Sequence, residues 1–447
     1  MATIRERLPF IGDAWAHALP LMRDPIRLSE QLRDQGPVVA MKIGWTHIFL
    51  LNDPAAIRRV LADNVAQYRK STRGYAKLRQ TLGNGLVTSQ GDFWLRQRRI
   101  AQPAFRRKAL AGFAEIMGRH VDETGDRIAA RAARGPLDVV GPLNRMALDI
   151  VAEALFGADI RPYAKQIERG VNDLVEPFWL HTTAPYPRPE WVPRPLNLRY
   201  WRSRFAMRRA MKTLIADARR RPAGSTDLIS MLMAATDPET GEAMSDAQLV
   251  DEGLTLIGAG HETTANGMSF GLDLLARHPA VVERVAAEVE QVLGDARRPD
   301  AEQILALRYT RQVVDEILRL YPPVWMLARS TAGSDTLCGV EIPDGAYILI
   351  SVIGVHRDPA LWADPERFDP DRFGPDTPAP DRWAYLPFSR GRRQCIGDRF
   401  ALMEMVCALA LICRRFTLAP HGAPPQLRPA LTLRTRGPVR VGFTPRR

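Results

Sequence analysis

The chain has 447 residues, 46% of them hydrophobic and 25% charged, the balance of a globular protein with room for one large core or two to three average domains. Its formal charge is +12, an excess that suits a nucleic acid, an anionic membrane or an acidic protein, but no zinc-finger spacing or RNA-binding signature accompanies it and nucleic acid is set aside. Four cysteines, Cys338, Cys395, Cys407 and Cys413, show neither Cys-x-x-Cys nor paired spacing, which excludes a disulfide framework and points to a reducing compartment.

The N-terminal nine residues are polar, and no run of about 18 apolar residues occurs. Neither a signal peptide nor a membrane anchor is expected, and the protein is expected to be cytoplasmic. A helical pattern near Ile26 to Leu32 leads into two strand-like runs, Val38 to Ile43 and His47 to Leu51, which read as a hairpin. Asp53 followed by Pro54 is an N-cap with proline at the first helical position, opening a helix through Leu61. Residues Asn64 to Gln90 show no sustained period and read as a long, functional loop. Gly91 to Arg99 is helical up to a break at Pro103, with Trp94 and Arg98 on one face. Both are donors suited to a carboxylate, although an exposed basic helix with one buried Trp explains the same pattern.

Helical spacing covers Leu110 to Gly157, broken at Gly135-Pro136, and then Ile160 to Ala184. Pro185 to Pro195 is a proline-rich connector. The arginine-rich helix Leu198 to Arg221 reads most simply as a solvated face. Ser245-Asp246-Ala247-Gln248 is a capping-box pattern that opens a helix running to His278, roughly 50 Å at about 1.5 Å per residue. Its middle reads Gly258-Ala259-Gly260-His261-Glu262-Thr263-Thr264, a poor helix former in which each Gly costs about 1 kcal/mol relative to Ala. Local rules fail mostly where function intrudes. Further helices cover Val281 to Leu293 and Tyr309 to Leu320; the second carries Glu316 and Arg319 at i, i+3, usually a surface pair. Strands are expected over Leu337 to Ile342 and Ala346 to Val352, joined by a Pro343-Asp344-Gly345 turn. An irregular region from His356 to Phe388 contains Pro365-Glu366-Arg367-Phe368. Asp398 to Phe416 is an apolar helix, and Pro429 to Val441 reads as terminal strands.

Just before that last helix, Phe388-Ser389-Arg390-Gly391-Arg392-Arg393-Gln394-Cys395-Ile396-Gly397 sets one cysteine among glycines and arginines. Glycine permits a tight bend and close approach to a flat ligand. Arginines and a helix N-terminus favour the thiolate, and a thiolate is a good soft ligand for iron. A buried structural cysteine beside a basic loop is the plainer alternative. The stretch reads Phe-x-x-Gly-x-Arg-x-Cys-x-Gly, and it resembles the haem-binding loop of the cytochromes P450. Four other elements resemble the family's and come in its order: Trp-x-x-x-Arg at Trp94 and Arg98, Ala-Gly-x-Glu-Thr over 259–263, Glu-x-x-Arg at Glu316 and Arg319, and Pro-Glu-Arg-Phe over 365–368. A tryptophan at Trp94, where many soluble bacterial members have His, is closer to fatty-acid-hydroxylase-type members.

The resemblance implies a mainly α fold with small β-sheets, a single domain over 1–447 with a β-rich part at about 1–63 and a helical haem-binding core at about 91–416. It implies haem b (iron protoporphyrin IX) with Cys395 as axial thiolate in a loop shaped by Phe388, Gly391, Arg393 and Gly397. Trp94, Arg98 and Arg329 are implied as propionate partners, with His356 as a second donor. Ala259 and Gly260 form the groove over the haem; Glu262 and Thr263 manage proton delivery to dioxygen, and His261, at the motif's variable position, reads as structural rather than as an iron ligand. A buried Glu316–Arg319–Arg367 network holds the segment ahead of the cysteine loop. By analogy, Leu78, Leu82, Leu86 and Val87 line the substrate pocket with Phe178 and Trp179. Leu256, Val324, Trp325, Met326, Leu327 and Leu433 complete it, and the helices to either side of the proline-rich connector cover it as a lid. The implied activity is a monooxygenase acting on a hydrophobic molecule of secondary metabolism: a terpenoid, polyketide, steroid or fatty acid. Electrons come from a separate ferredoxin or flavodoxin-type donor with its NAD(P)H reductase, steered to Arg96, Arg390, Arg392 and Arg399. The protein is expected to be a monomer. Two other readings share the fold: a peroxygenase or peroxide isomerase that does not use O2, and a non-enzymatic haem sensor.

Overall fold

The computed structural model describes residues 20, 23–43, 46–157, 161–183, 194–221 and 225–446. The turn of the first hairpin and nearly all of the proline-rich connector lie outside the described residues. A five-stranded sheet joins strands from residues 38–69 to strands from residues 326–351. Val38–Ile43 pairs antiparallel with Thr46–Leu51, which runs parallel to Tyr347–Ser351 with Leu50 opposite Leu349; Met326–Thr331 and the short Tyr68–Arg69 follow.

The rest is helical and is organised around Asp246–Arg277. Its capping box is complete, Ser245 and Gln248 each holding the other's backbone. This helix is buried on nearly all sides, as an interior helix must be. Val140–Phe156, Pro195–Ala218 and Asp398–Arg415 pack against it. Asp53 caps Pro54–Arg58 by accepting from the N–H of Ala55 and Ala56.

Two expectations are corrected. The stretch 64–90 is not an open loop: it contains the helix Arg73–Leu82, whose buried side includes Lys77 and Thr81. Polar residues on the inner face hid its period. The strand expected over Leu337 to Ile342 is a hairpin of Asp335–Leu337 and Val340–Ile342. It turns at Cys338 and Gly339, both left-handed (φ +47° and +79°).

Candidate functional site

Cys395 ends a bend tied by the main chain. Its N–H donates to Phe388 O (3.0 Å), and Gln394 N–H donates to Gly391 O (3.1 Å). Gly391 has φ +76°, and a Cβ there would meet Leu61 O at 2.0 Å, so both the turn and the close approach require glycine. Helix Asp398–Arg415 starts just beyond. The Cys395 side chain is open, yet protein crowds it on its other sides, and this desolvation pushes the thiol up to about 11. The Gly397 N–H and the charges of Arg98 and Lys70 pull the other way and are outweighed. The neighbouring cations act in the expected direction, towards the thiolate, and a metal would hold the sulfur deprotonated.

Four cations lie around this sulfur or around one another. Arg98 Nη1 donates to Gln394 O (3.0 Å) and Arg393 Nη1 to Ser89 O (2.9 Å). The Arg393 guanidinium also sits 3.7 Å from the ring centroid of the buried Trp94. Lys70 Nζ donates to Val87 O (2.9 Å), and Arg329 Nη1 donates to Ala328 O (2.8 Å) and the Tyr75 hydroxyl (3.4 Å). Among the described residues none of the four has a carboxylate partner. Burial and the neighbouring cations hold Lys70 well below its ordinary range and bring Arg393 down to about 10. Enclosed positive charge without a counter-ion is costly, and an acidic ligand relieves it. A planar iron ligand with two carboxylates fits this donor set: sulfur for the metal, cations for the acids. Lys70 escaped the sequence reading because it lies in the stretch taken for a loop.

His356 does not fit its expected role. It is wholly buried; Nε2 accepts from Leu386 N–H (2.7 Å) and Nδ1 lies 3.1 Å from Arg319 O. Both ring nitrogens are spent on the main chain, leaving none for a propionate. The buried network is also redrawn. Arg319 grips Glu316 through Nε (2.7 Å) and Nη2 (2.9 Å), and donates to the carbonyls of His356, Pro365 and Arg367. The Arg367 side chain itself is 69% exposed, 3.8 Å from Asp369. The second arginine at Glu316 is Arg372, 3.4 Å from Oε1. Pro370-Asp371-Arg372-Phe373 repeats the Pro-acid-Arg-Phe pattern five residues after the expected one, and that repeat was the available signal.

On the central helix, Ala259 is exposed and Leu256, Gly258, Gly260 and Thr263 are partly so, though the helix is otherwise interior. Gly260 also makes room for Val151, whose Cγ2 would lie 2.7 Å from an added Cβ. Thr263 Oγ1 donates back to Ala259 O (2.7 Å). Glu262 points elsewhere: its Oε1 accepts from Arg434 Nε (2.6 Å) and from the Thr432 hydroxyl, and this arginine holds the buried carboxyl below its usual range against the cost of burial. His261 is buried with Nδ1 2.8 Å from Ile257 O.

Of the expected pocket residues, Val87, Phe178, Trp179, Leu256 and Met326 are partly open and Val324 is exposed. Leu78, Leu82, Leu86 and Leu327 are nearly closed off. Trp325 and Leu433 are core instead, packed with Ile26, Phe270 and Ile353. Alternation along an extended segment turns Trp325 inward when Val324 and Met326 face out. Two acids not singled out from sequence fasten the turn at 83–88 to the central helix. Asp251 accepts from Asn84 N–H (2.7 Å) and Arg208 (2.8 Å); Glu252, pushed up to about 8 by burial, accepts from Leu86 N–H (3.0 Å). Arg392 and Arg399 are exposed, whereas Arg96 is paired with Glu242.

The sequence model of the family described as Cytochrome P450 matches residues 7–442. Cyclooctat-9-en-7-ol 5-monooxygenase of Streptomyces melanosporofaciens is 35% identical over 92% of this chain and 88% of its own length. Cyclooctatin synthase of the same organism is 35% identical over 98% and 94%. Pentalenene oxygenase of Streptomyces avermitilis is 33% identical over 96% and 97%.

Proposed function

This chain belongs to the cytochrome P450 family, and within it we propose that Cys395 would supply the thiolate that holds the iron of haem b, iron protoporphyrin IX. The protein is a haem-thiolate monooxygenase that inserts one oxygen atom from O2 into a hydrophobic small molecule, with electrons from a redox partner. The observation carrying the assignment is an open cysteine among cations that, among the described residues, lack carboxylate partners. The bound haem supplies the activation of dioxygen.

The chain's own residues do the rest. Arg98, Arg329, Arg393 and Lys70 would hold the two propionates of the bound haem, with the Trp94 ring against the Arg393 guanidinium. Gly391 and Phe388 shape the loop, and Ala259 leaves space on the central helix. Thr263 orients a proton donor at the open face of that helix, and Glu262 passes protons inward. The open side chains of Val87, Phe178, Trp179, Leu256, Val324 and Met326 orient the substrate and exclude water. The substrate is a terpenoid, since three similar proteins are named for cyclooctat-9-en-7-ol, cyclooctatin and pentalenene. The donor is a ferredoxin or flavodoxin-type protein with its NAD(P)H reductase, met by Arg392 and Arg399. The chain works as one domain and a cytoplasmic monomer. Strands from 38–51 and 326–351 share one sheet, which supports the single domain, and no described helix is long and apolar enough to cross a membrane.

The test is the absorption spectrum of dithionite-reduced protein under CO, beside its Cys395→Ser variant. A red-shifted Soret band present only in the parent is the expected result. An unchanged band in the variant would remove Cys395 from the iron.

A further inference from the structure

The surface around the Cys395 loop carries charge of two signs. Phe105 Cε1 lies 3.9 Å from where a Gly397 Cβ would stand, and the Phe113 ring meets Phe400 edge-on, centroids 5.9 Å apart. The segment between them is therefore pinned at both ends beside the start of the helix Asp398–Arg415. It exposes Arg106, Arg107 and Lys108; Arg399 on that helix and Arg392 in the loop before it are exposed too. Among the described residues these five cations have no carboxylate partner.

The helix Gly91–Ala101 borders the same loop, its Arg98 donating to Gln394 O, but its Arg96 and Arg99 are covered by the turn 236–243. Thr236 bridges Ala243, Asp237 N–H donates to Glu242 O (2.9 Å) and Gly241 N–H to Asp237 O (2.8 Å). Buried Asp237 grips Arg99 with both oxygens, at 2.7 Å each. That pair alone fastens the turn and neutralises Arg99. Glu239 nevertheless adds a second carboxylate to Arg99 (2.8 Å), and Glu242 takes Arg96. The two glutamates are 67% and 57% exposed, so their fastening is slight. Three carboxylates against two guanidiniums leave this end net negative, where the arginines alone would make it positive.

We propose that Glu239 and Glu242 set the edge of the electron donor's footprint: an acidic ferredoxin-type donor docks over Arg106, Arg107, Lys108, Arg392 and Arg399, and the two glutamates repel it from the Arg96 side and so fix its register. The proposal rests on reading the cationic face around the Cys395 loop as the donor's. Like charges brought together across an interface suppress wrong placements. The donor that fits carries its acids opposite the five open cations and a neutral or basic side chain opposite Glu239 and Glu242.

The test uses the holoenzyme with spinach ferredoxin as the acidic probe. Two quantities are read at about 0.02 M and about 0.5 M salt: the dissociation constant by calorimetry, and the rate at which the CO band of the reduced enzyme appears at saturating ferredoxin. Glu239→Gln/Glu242→Gln should bind about three- to tenfold tighter at low salt, with the gap closing at high salt. Its limiting rate should fall, because wrong placements now compete. Glu239→Asp/Glu242→Asp, which keeps the charge, should bind as the parent does. A Gln pair that binds no tighter, with or without a lowered melting temperature, overturns the proposal and leaves the glutamates as fasteners. Tighter binding with a level or higher limiting rate overturns the assignment of register. Arg392→Glu/Arg399→Glu separates the underlying reading: if it does not weaken ferredoxin binding at low salt, the face is not the donor's and the proposal fails with that reading.

Discussion

Arg319, Arg372 and Arg367 lie within reach of one another in sequence motif and far apart in consequence. Arg319 is fully buried and its guanidinium makes five hydrogen bonds, two to Glu316 and three to main-chain carbonyls. Arg319→Ala would strand the Glu316 carboxylate and those carbonyls in a dry interior, at about 3–5 kcal/mol or more. Arg372 is 13% exposed and 3.4 Å from Glu316, and its Nη2 donates to Asp364 O (2.7 Å). Its loss leaves Glu316 with Arg319 and the Asp369 N–H (2.9 Å), so Arg372→Ala should cost about 1–2 kcal/mol. Arg367, 69% exposed beside Asp369, should cost no more than about 0.5 kcal/mol. Arg319→Lys should recover little, because an ammonium cannot span both oxygens and three carbonyls. Urea midpoints of the haem-bound proteins, followed by tryptophan fluorescence and compared only where slopes agree, give the ranking. Arg367→Ala matching or exceeding Arg372→Ala would refute it and restore the original network.

Gly391→Ala should yield folded protein with little or no haem by absorbance, because its Cβ cannot share space with Leu61 O; full loading would sink that argument. Lys70→Met removes one of four cations around the ligand cradle and should weaken haem retention about tenfold in transfer to apomyoglobin, while the melting temperature of the haem-free chain should stay level or rise. Glu252 gives a pH test. Its carboxyl titrates near 8 when folded against 4.5 as the reference value. The folded state therefore keeps a proton that the unfolded state sheds, and stability falls as pH rises from about 4.5 through 8. Glu252→Gln removes that slope, so its melting temperature should improve on the parent's progressively from pH 5 to pH 8; a constant offset would contradict the burial of an acid.

What the sequence showed plainly was what short-range physics controls. Ser245 and Gln248 close the capping box that their spacing implied, and Asp53 with Pro54 opens a helix. The cysteine bend followed from its glycines. Long-range pairing was hidden. Nothing near Glu262 announces Arg434, its partner from 172 residues away. Arg367 and Arg372 carry the same Pro-acid-Arg-Phe signature, and only the fold decides which one turns inward. His356 had the right chemistry for a propionate, but the main chain of Leu386 and Arg319 already claims its ring. The helix Arg73–Leu82 was lost because Lys77 and Thr81 occupy its buried side.

The arginine excess shows why counting charge was a weak guide. As composition it said little. In the fold, Arg99 closes on Asp237, Arg208 on Asp251, Arg415 on Asp122 and Asp126, and Arg446 on Glu283. Each of these cations fastens one element to another and is neutralised locally. Lys70, Arg98, Arg329 and Arg393 are the contrary case: drawn together beside one open cysteine, half-enclosed, and given among the described residues carbonyls, a hydroxyl and two aromatic rings for company. Among the described residues no carboxylate pairs with any of these four cations, and desolvated like charges repel unless something acidic comes between them. The functional signal therefore lies in the missing counter-charge at one place rather than in the surplus over the whole chain. The same logic marks Glu262 from the other side, as an acid of the inferred machinery that already has its cation.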